Sequence, residues 1–243
     1  MAQNIYDQPA FFEGYSQLPR SVHGLAGAAE WNSVRALLPD LAGLRIVDLG
    51  CGFGWFSRYA AENGAASVLG LDISQNMIAR ARSETTDPKV RYEIADLDRL
   101  ELPEAAFDFA FSSLAFHYVE DFARLVRTVH AALVPGARFV FTIEHPIYMA
   151  PSRADWAKGA EDRTIWPLDG YGMEGPRRTD WLAKGVVKYH RMLGTTLNTL
   201  IAAGFSIRHV EEWRPDAAQL AAHPEWTIEL ERPMFLLIAC ERG

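Results

Sequence analysis

The residues best suited to chemistry in this 243-residue chain are three closely spaced glycines and one isolated acid. Gly50, Gly52 and Gly54 follow an apolar run at residues 44–49, and Asp72 ends the next apolar run. Glycine adopts the backbone angles of a tight turn and lets a ligand approach the main chain. A helix beyond the turn offers free N–H groups, and an acid after the neighbouring strand can accept from both ribose hydroxyls. The pattern therefore predicts a site for an adenosine-containing cofactor.

The spacing of the glycines distinguishes between such cofactors. A dinucleotide fingerprint reads G-x-G-x-x-G, whereas Trp55 stands where the last glycine of that fingerprint would fall. Asp48, two residues before Gly50, completes the pattern D-x-G-x-G-x-G. This pattern resembles motif I of the class I S-adenosylmethionine-dependent methyltransferases. Taken alone, the segment also fits a plain strand-turn-helix whose glycines serve only chain reversal.

Two later acids extend the resemblance. In the family, the acid after the second strand, here Asp72, holds the ribose, and the apolar residue after it packs on the adenine. Ser74 is a good N-cap for a helix at Gln75–Ser83. The family places a further acid after the third strand, here Val90–Ile94, to accept from the adenine amine. Asp96 fits that position better than Asp98.

Two more segments match the family. Phe107–Phe111 is predicted to be a buried central strand, and the residues after it lie where open α/β sheets bind ligands. In the family this loop passes beneath the methionine part of the cofactor. Leu133–Ala137 resembles the family turn L-x-P-G-G before a strand at Arg138–Ile143, with Ala137 in place of the second glycine. The residues assigned to the cofactor, including a tyrosine of the N-terminal segment, are Asp48, Gly50, Cys51, Gly52, Asp72, Ile73, Met77, Asp96, Leu97, Ser112, Ser113, Leu114 and Tyr15.

Composition limits the class of partner. The formal net charge is −7, from 31 acidic and 24 basic residues, and no Lys/Arg block occurs. A nucleic-acid substrate is therefore disfavoured. Cys51 and Cys240 suggest no disulfide framework, and no zinc-ligand spacing occurs, so no metal is predicted. The absence of a signal pattern or a membrane-length apolar run predicts a soluble cytoplasmic protein. Nothing in the pattern indicates an oligomeric state.

The elements that must position these residues alternate between strands and helices, which predicts an α/β fold. By resemblance this is the Rossmann-like methyltransferase fold: a doubly wound, mostly parallel sheet of seven strands. The last strand is antiparallel and lies between strands five and six. One domain is predicted over residues 1–243, comprising a helical lead-in (1–43), a cofactor-binding half (44–143), an aromatic insert or lid (144–188) and a C-terminal part (189–243). The remaining predicted elements are helices at Ala10–Gln17, Ala28–Leu38 and Tyr189–Ala203 and strands at Phe205–Glu211 and Pro233–Cys240.

The cofactor implies the reaction. S-adenosylmethionine carries an electrophilic methyl group, so the expected activity is in-line methyl transfer to a small-molecule acceptor. Alignment of the acceptor supplies most of the catalysis, and a base that removes a proton adds to it. The candidate bases are His145 after the fifth strand, His190 at the start of the predicted helix after the insert, and His117. Each also fits a structural histidine.

The insert is rich in aromatic residues. Trp166, Tyr171 and Trp181 fit either the walls of an acceptor site or a small core within the insert. Two other functions stay open at this point. One is a non-catalytic protein that binds the cofactor or a partner chain on a methyltransferase fold. The other is a nicotinamide-dependent oxidoreductase, which the missing fingerprint glycine disfavours.

Overall fold

A seven-stranded sheet organises the computed structural model, which describes residues 3–243. The strands are β1 (Arg45–Leu49), β2 (Ser67–Asp72), β3 (Val90–Ile94), β4 (Phe107–Ser113), β5 (Leu133–Glu144), β6 (Ala157–Lys158), β7 (Thr164–Ile165), β8 (Gly175–Trp181), β9 (Ala183–His190), β10 (Phe205–Glu212) and β11 (Phe235–Arg242). The α-helices are α1 (Pro9–Ser16), α2 (Pro19–Val22), α3 (Trp31–Leu37), α4 (Trp55–Glu62), α5 (Gln75–Ser83), α6 (Phe122–Ala132), α7 (Pro146–Met149), α8 (Leu193–Ala202) and α9 (Ala217–Ala222). Short 3₁₀ helices occur at Ile5–Asp7, Gly24–Gly27, Leu97–Arg99, Phe116–Tyr118, Ala160–Asp162 and Pro224–Glu231.

The strand order of the large sheet is β10-β11-β5-β4-β1-β2-β3. β11 runs antiparallel to both of its neighbours, and the pairs from β5 to β3 are parallel. This confirms the predicted topology. The order reverses between β1 and β4, and in such sheets ligands bind in the crevice outside the carboxyl ends of the strands at that point.

Both faces of the sheet are covered, so its central strands are mainly apolar. Residues 235–240 of β11 are all buried, as are Phe139, Val140 and Phe141 of β5. On one face of the sheet the apolar side of α6 packs against it; on the other, Phe56 stacks on Phe111 with 3.7 Å between ring centroids. Burial of each such side chain stabilises the fold by roughly 1.5–3 kcal/mol. This packing fixes the strand ends that carry the site.

The lead-in helices predicted at Ala10–Gln17 and Ala28–Leu38 are confirmed in position as α1 and α3. The predicted turn at Leu133–Ala137 belongs instead to the start of β5. Phe107 pairs with Leu133 but Phe109 pairs with Arg138, so the intervening residues bulge out of the ladder. This accommodates the turn sequence inside a strand.

The insert departs most from the prediction. β8 and β9 form an antiparallel hairpin, and the helix predicted at Tyr189–Ala203 is wrong at its start, because β9 continues to His190 and α8 begins at Leu193. Alternate residues Val186, Lys188 and His190 of β9 are buried. Two of these three residues are polar. Every second residue of the strand is buried, but the sequence does not alternate between apolar and polar residues, so it does not indicate a strand.

Within residues 3–243, no helix combines the length and apolar character that a membrane span requires. The same residues contain no group of three or more His, Cys, Asp or Glu side chains able to hold a metal ion. Cys51 and Cys240 are both free thiols.

Candidate active site

The glycine loop and Asp72 form one hydrogen-bonded unit. The backbone N–H of Gly52 donates to Asp72 Oδ2 and that of Ser74 donates to Asp72 Oδ1, both at 2.9 Å. Gly50 and Gly52 have positive φ angles of 79° and 52°. A Cβ on Gly50 would lie 2.3 Å from the Cβ of Ala115, whereas a Cβ on Gly52 would meet nothing within 4 Å. Gly50 is therefore required for packing against the β4 loop, and Gly52 leaves open space above the turn.

Burial raises the pKa of Asp72 to about 6, although the backbone N–H donors oppose this shift. The carboxylate is thus mostly ionised at neutral pH and remains half-buried. An ionised carboxylate in this setting makes charge-assisted hydrogen bonds with ligand hydroxyls.

Asp48 lies at the end of β1, behind the loop. It is 2% exposed, and its Oδ2 accepts from Ser57 Oγ at 2.7 Å. Burial raises its pKa to about 7, with the hydrogen bond from Ser57 opposing the shift.

Ten of the thirteen residues that the sequence assigns to the cofactor border one small cavity of about 90 Å³, which we call the Asp72 cavity. They are Gly50, Gly52, Asp72, Ile73, Met77, Asp96, Leu97, Ser113, Leu114 and Tyr15. Asp48 and Cys51 border a second, larger cavity instead. Ser112 borders neither; it is fully buried and donates its Oγ hydrogen to Leu49 O at 2.6 Å. Its expected position at the site is therefore wrong, because β4 continues through Ser113 and Ser112 points into the sheet.

The N-terminal segment covers the Asp72 cavity. Tyr6 and Tyr15 border it, and Asp7 fastens the segment to the start of α5. The Asp7 carboxylate accepts from Ser74 Oγ at 2.6 Å and from Asn76 N at 3.1 Å. Asp7 thus acts as an N-terminal acceptor for a helix to which it does not belong.

The same segment is also joined to the insert. Gln3 Oε1 accepts from Val187 N at 2.9 Å, and Gln3 Nε2 donates to Gly185 O at 3.1 Å. Phe11 of α1 packs edge-on against Trp181 of the hairpin. The N-terminal segment and the β8–β9 hairpin therefore cover the site together.

The second cavity measures about 520 Å³ and is lined mainly by aromatic rings; we call it the aromatic cavity. Its aromatic wall consists of Tyr6, Tyr15, Phe53, Trp55, Phe56, Phe111, Tyr118, Tyr148, Trp181, Trp213, Trp226 and Phe235. Gly50, Gly52, Ser113 and Leu114 border both cavities, so the two spaces adjoin at the end of the β1 and β4 strands. A ligand in one cavity can contact a ligand in the other.

Three ion pairs surround the aromatic cavity. Glu144 borders it at the end of β5, and Lys188 Nζ lies 2.5 Å from Glu144 Oε1, behind the wall. Burial acts to raise the pKa of Glu144, but the neighbouring His117, and then the charge and hydrogen bond of Lys188, lower it below the usual range. Glu144 is therefore an ionised acceptor whose Oε2 receives no hydrogen bond from any residue between 3 and 243.

The other two pairs have the same arrangement. Arg20 borders the cavity and binds Glu30 in bidentate fashion, with both N···O distances at 3.1 Å. Glu229 borders the cavity, and a guanidinium nitrogen of Arg232 lies 2.5 Å from Glu229 Oε2. Arg20, Glu144 and Glu229 are thus each neutralised by a buried partner of opposite sign.

The histidines proposed as bases are all held in structural hydrogen bonds. His145 was expected to face the acceptor, but it is 1% exposed and borders neither cavity. Its Nδ1 accepts from Ile147 N, so its Nε2 carries the hydrogen and donates to Glu212 at 2.8 Å. This makes His145 the N-cap of α7. Burial lowers its pKa, so the ring stays neutral.

In His190 and His117, as in His145, the ring hydrogen is on Nε2. His190 ends β9 rather than opening a helix, borders neither cavity, and donates from Nε2 to Tyr171 O at 2.9 Å. His117 does border the aromatic cavity, but its Nδ1 accepts from Glu144 N at 3.3 Å. Burial lowers the pKa of His117 to about 3. Facing the cavity, His117 is therefore a hydrogen-bond donor and not a base.

Of the three aromatic residues considered for the acceptor wall, Trp181 borders the aromatic cavity. Trp166 stacks on Tyr148, lies under the Arg232 guanidinium and packs within the insert. The Tyr171 hydroxyl accepts from Leu193 N at 3.2 Å, at the start of α8.

Sequence reasoning missed the roles of Glu144 and its partner Lys188. Glu144 sits at the carboxyl end of β5, the position that drew attention to its neighbour His145. Lys188 comes from the insert, which carries no motif, and nothing in its spacing signals a position beside Glu144.

Two buried polar atoms beside the aromatic cavity lack partners among residues 3–243: Trp55 Nε1 and Ser21 Oγ. Buried donors are normally satisfied, so these atoms are suited to a polar ligand at the start of α4. Asp72 and the open space above Gly52 fit the adenosine part of a cofactor.

The doubly wound sheet, the glycine loop after β1 and the acid after β2 define an α/β enzyme that binds an adenosine-containing cofactor. Residues 47–141 match the family described as "Methyltransferase domain". The structure of an S-adenosylmethionine-dependent methyltransferase from Mesorhizobium loti is 64% identical in sequence to this chain and superposes with a TM-score of 0.87. The match covers 90% of this chain and 100% of that one. An uncharacterized protein of Haemophilus influenzae is 34% identical over 98% of this chain and 97% of its own. N-demethylindolmycin N-methyltransferase of Streptomyces griseus is 28% identical over 75% of this chain and 78% of its own.

The chain belongs to the S-adenosylmethionine-dependent methyltransferases, and its cofactor is S-adenosylmethionine.

Proposed function

We propose that this methyltransferase, acting as a single domain, methylates a small molecule held in the aromatic cavity. The observation that carries the proposal is the shared wall of the two cavities at Gly50, Gly52, Ser113 and Leu114. A cofactor in the Asp72 cavity would then present its methyl group to a molecule in the aromatic cavity.

The cofactor-binding roles follow from the placement of the side chains. Asp72 would accept from the ribose hydroxyls, and Ile73 and Met77 would pack on the adenine. Asp96 borders the same cavity and would bind the adenine edge. Cys51 and Asp48 support the loop from behind without bordering the Asp72 cavity.

When bound, S-adenosylmethionine supplies a methyl group that is already electrophilic. The protein's part is to align the acceptor's lone pair with that group, which is worth up to ~7–11 kcal/mol. Tyr6 and Tyr15 border both cavities and close the junction from above, which excludes water. Since all three candidate histidines lack a free lone pair facing the cavity, we expect none of them to act as a base.

The surroundings support a small acceptor over a macromolecular one. The N-terminal segment and the β8–β9 hairpin cover the site from two sides, and the net charge of −7 opposes nucleic acid. The Streptomyces griseus relative acts, by its name, on N-demethylindolmycin. A non-catalytic binding protein would not need a second cavity next to the cofactor.

Two measurements test the proposal. Isothermal titration with S-adenosylhomocysteine should give micromolar binding, with NAD as a negative control. Methyl label from S-adenosylmethionine should then pass to the low-molecular-weight fraction of a metabolite extract and not to tRNA or protein. Label found only in macromolecules would refute the small-molecule acceptor, and binding of NAD alone would refute the cofactor assignment.

A further inference from the structure

The charges around the aromatic cavity cancel. Arg20, Lys188 and Arg232 are matched by Glu30, Glu144 and Glu229, in pairs 3.1, 2.5 and 2.5 Å apart. In each pair one member borders the cavity and its partner lies behind it. The exposed fraction of the side chain is 1% for Glu30, 5% for Lys188 and 4% for Arg232, so none of the three partners can be compensated by solvent.

The remaining titratable groups of the wall carry little charge below neutral pH. His117 is neutral because burial lowers its pKa to about 3. Asp48 lies behind the glycine loop and is largely protonated below its pKa of about 7. The tyrosines Tyr6, Tyr15 and Tyr118 have pKa values raised by burial and stay neutral.

We propose that the methyl acceptor is an uncharged, planar aromatic molecule whose N–H or O–H group donates to Oε2 of Glu144; this rests on the proposed function. A charged acceptor would leave water for a cavity whose fixed charges are already neutralised, at a large desolvation cost. An uncharged ring instead packs on the aromatic wall without that cost. Glu144 Oε2 is the one oxygen of the Glu144–Lys188 pair that accepts nothing from residues 3–243.

Lys188 explains why this carboxylate is suited to an aromatic acceptor. It keeps Glu144 ionised, and its own charge is stabilised by the Trp181 ring, 4.9 Å from Nζ to the ring centroid. Such a carboxylate is a weak base. An aromatic N–H or O–H group becomes strongly acidic once methylated, so a weak base is sufficient to take its proton, whereas a methylated alkyl ammonium keeps its proton near neutral pH.

The proton balance is simple. The acceptor's lone pair forms the new bond to the methyl carbon, and the electrons of the broken S–CH₃ bond stay on sulfur. The proton released from the acceptor passes to Glu144 Oε2 and then to solvent when the product leaves.

The experiment compares three ligands with one ring and different charges. With the protein saturated with S-adenosylhomocysteine at about pH 6.5, tryptophan fluorescence is titrated with 2-naphthol, 2-naphthoate and 2-naphthylmethylammonium. We expect 2-naphthol to bind at least about tenfold more tightly than either ion. We also expect 2-methoxynaphthalene, which lacks the donor hydrogen, to bind about tenfold more weakly than 2-naphthol. Equal or tighter binding of an ion, or no binding of 2-naphthol, overturns the inference.

Two variants test the source of the selectivity. Glu144→Gln leaves Lys188 unpaired, so the preference should shift toward 2-naphthoate. Glu144→Gln combined with Lys188→Met removes both charges and should restore the preference for 2-naphthol over both ions. An unchanged preference in the single variant shows that the pair does not set the selectivity and overturns the inference. Circular dichroism and titration with S-adenosylhomocysteine check that each variant is folded.

The same data separate the two proposals. Failure of the wild-type protein to bind S-adenosylhomocysteine counts against the proposed function itself. Binding of S-adenosylhomocysteine without charge selectivity among the naphthalene probes counts only against the uncharged aromatic acceptor.

Discussion

Asp48 should make the cofactor-free protein less stable as the pH rises. Its carboxyl is 2% exposed, and burial raises its pKa from the ordinary 3.8 to about 7. Between these two values the unfolded chain is ionised while the folded protein keeps the proton. The contribution of Asp48 to the free energy of unfolding therefore falls as pH rises from 3.8 to about 7, and it is constant above that range.

The substitution Asp48→Asn removes this pH-dependent loss of stability and keeps the shape of the side chain. The Oδ1 of the asparagine can still accept from Ser57 Oγ, which lies 2.7 Å from Asp48 Oδ2 in the wild type. Relative to wild type, the variant should gain ~1 kcal/mol at pH 4.5 and ~4 kcal/mol at pH 8, following the separation of the two pKa values. With a urea m-value of ~2–3 kcal/mol/M, this moves the midpoint by less than ~0.5 M at pH 4.5 and by ~1.5 M at pH 8.

Urea unfolding followed by tryptophan fluorescence at both pH values measures the effect. Asp108→Asn serves as the matched control with opposite sign, because its hydrogen bond with Arg45 lowers the pKa of Asp108. That variant should lose stability by nearly the same amount at pH 8 and at pH 4.5, because both values lie above the ordinary pKa of 3.8 and the contribution of Asp108 is lost only at lower pH. A gain for Asp48→Asn that is absent at pH 8, or equal at the two pH values, would refute the reasoning.

Four further outcomes are expected. Asp72→Asn should weaken binding of S-adenosylhomocysteine by about 10- to 100-fold, since a charge-assisted hydrogen bond is worth ~1.5–3 kcal/mol, while Asp108→Asn leaves calorimetric binding unchanged. In the wild type the affinity should fall as pH drops through about 6, where Asp72 gains its proton, and it should not vary there in Asp72→Asn. Asp7→Ala removes the contacts with Ser74 Oγ and the start of α5, so stopped-flow release of S-adenosylhomocysteine should accelerate several-fold; an unchanged rate rules out Asp7 as a latch. His145→Ala should lower the melting temperature by a few degrees, through loss of the α7 cap, yet leave affinity for S-adenosylhomocysteine within threefold of wild type.

The cofactor half of the site was predictable because local sequence determines it. A tight turn needs glycine, a ribose-binding acid must end the neighbouring strand, and both signals lie within about thirty residues. The strand order followed from the same pattern through family resemblance. The bounds of α5 and β3 agree with the prediction, since Ser74 caps the helix and β3 is a simple alternating strand.

The aromatic cavity was not predictable in the same way. Its wall combines the lead-in, the ends of β4 and β5, the insert and the segment before β11, so no spacing along the chain reveals it. The roles of His145 and His190 depended on which nitrogen carries the hydrogen, and that is set by the contacts of Ile147 N and Tyr171 O. Lys188 and His190 are polar residues on the buried side of β9, so the sequence predicts no strand there and assigns the last two residues, Tyr189 and His190, to a helix.

The position of β11 has a consequence for how the chain folds. β5 lies in the middle of the sheet, yet its partner on one side is residues 235–242, more than ninety positions later. Until that segment is synthesised, β5 presents a long edge with unpaired backbone groups beside the apolar residues 139–141, the kind of surface that promotes association between chains. Closing the sheet over so large a sequence separation is also slow. Cellular yield should therefore depend on how β5 is shielded during synthesis, and substitutions in residues 235–240 should reduce soluble expression more than equally buried changes in α6.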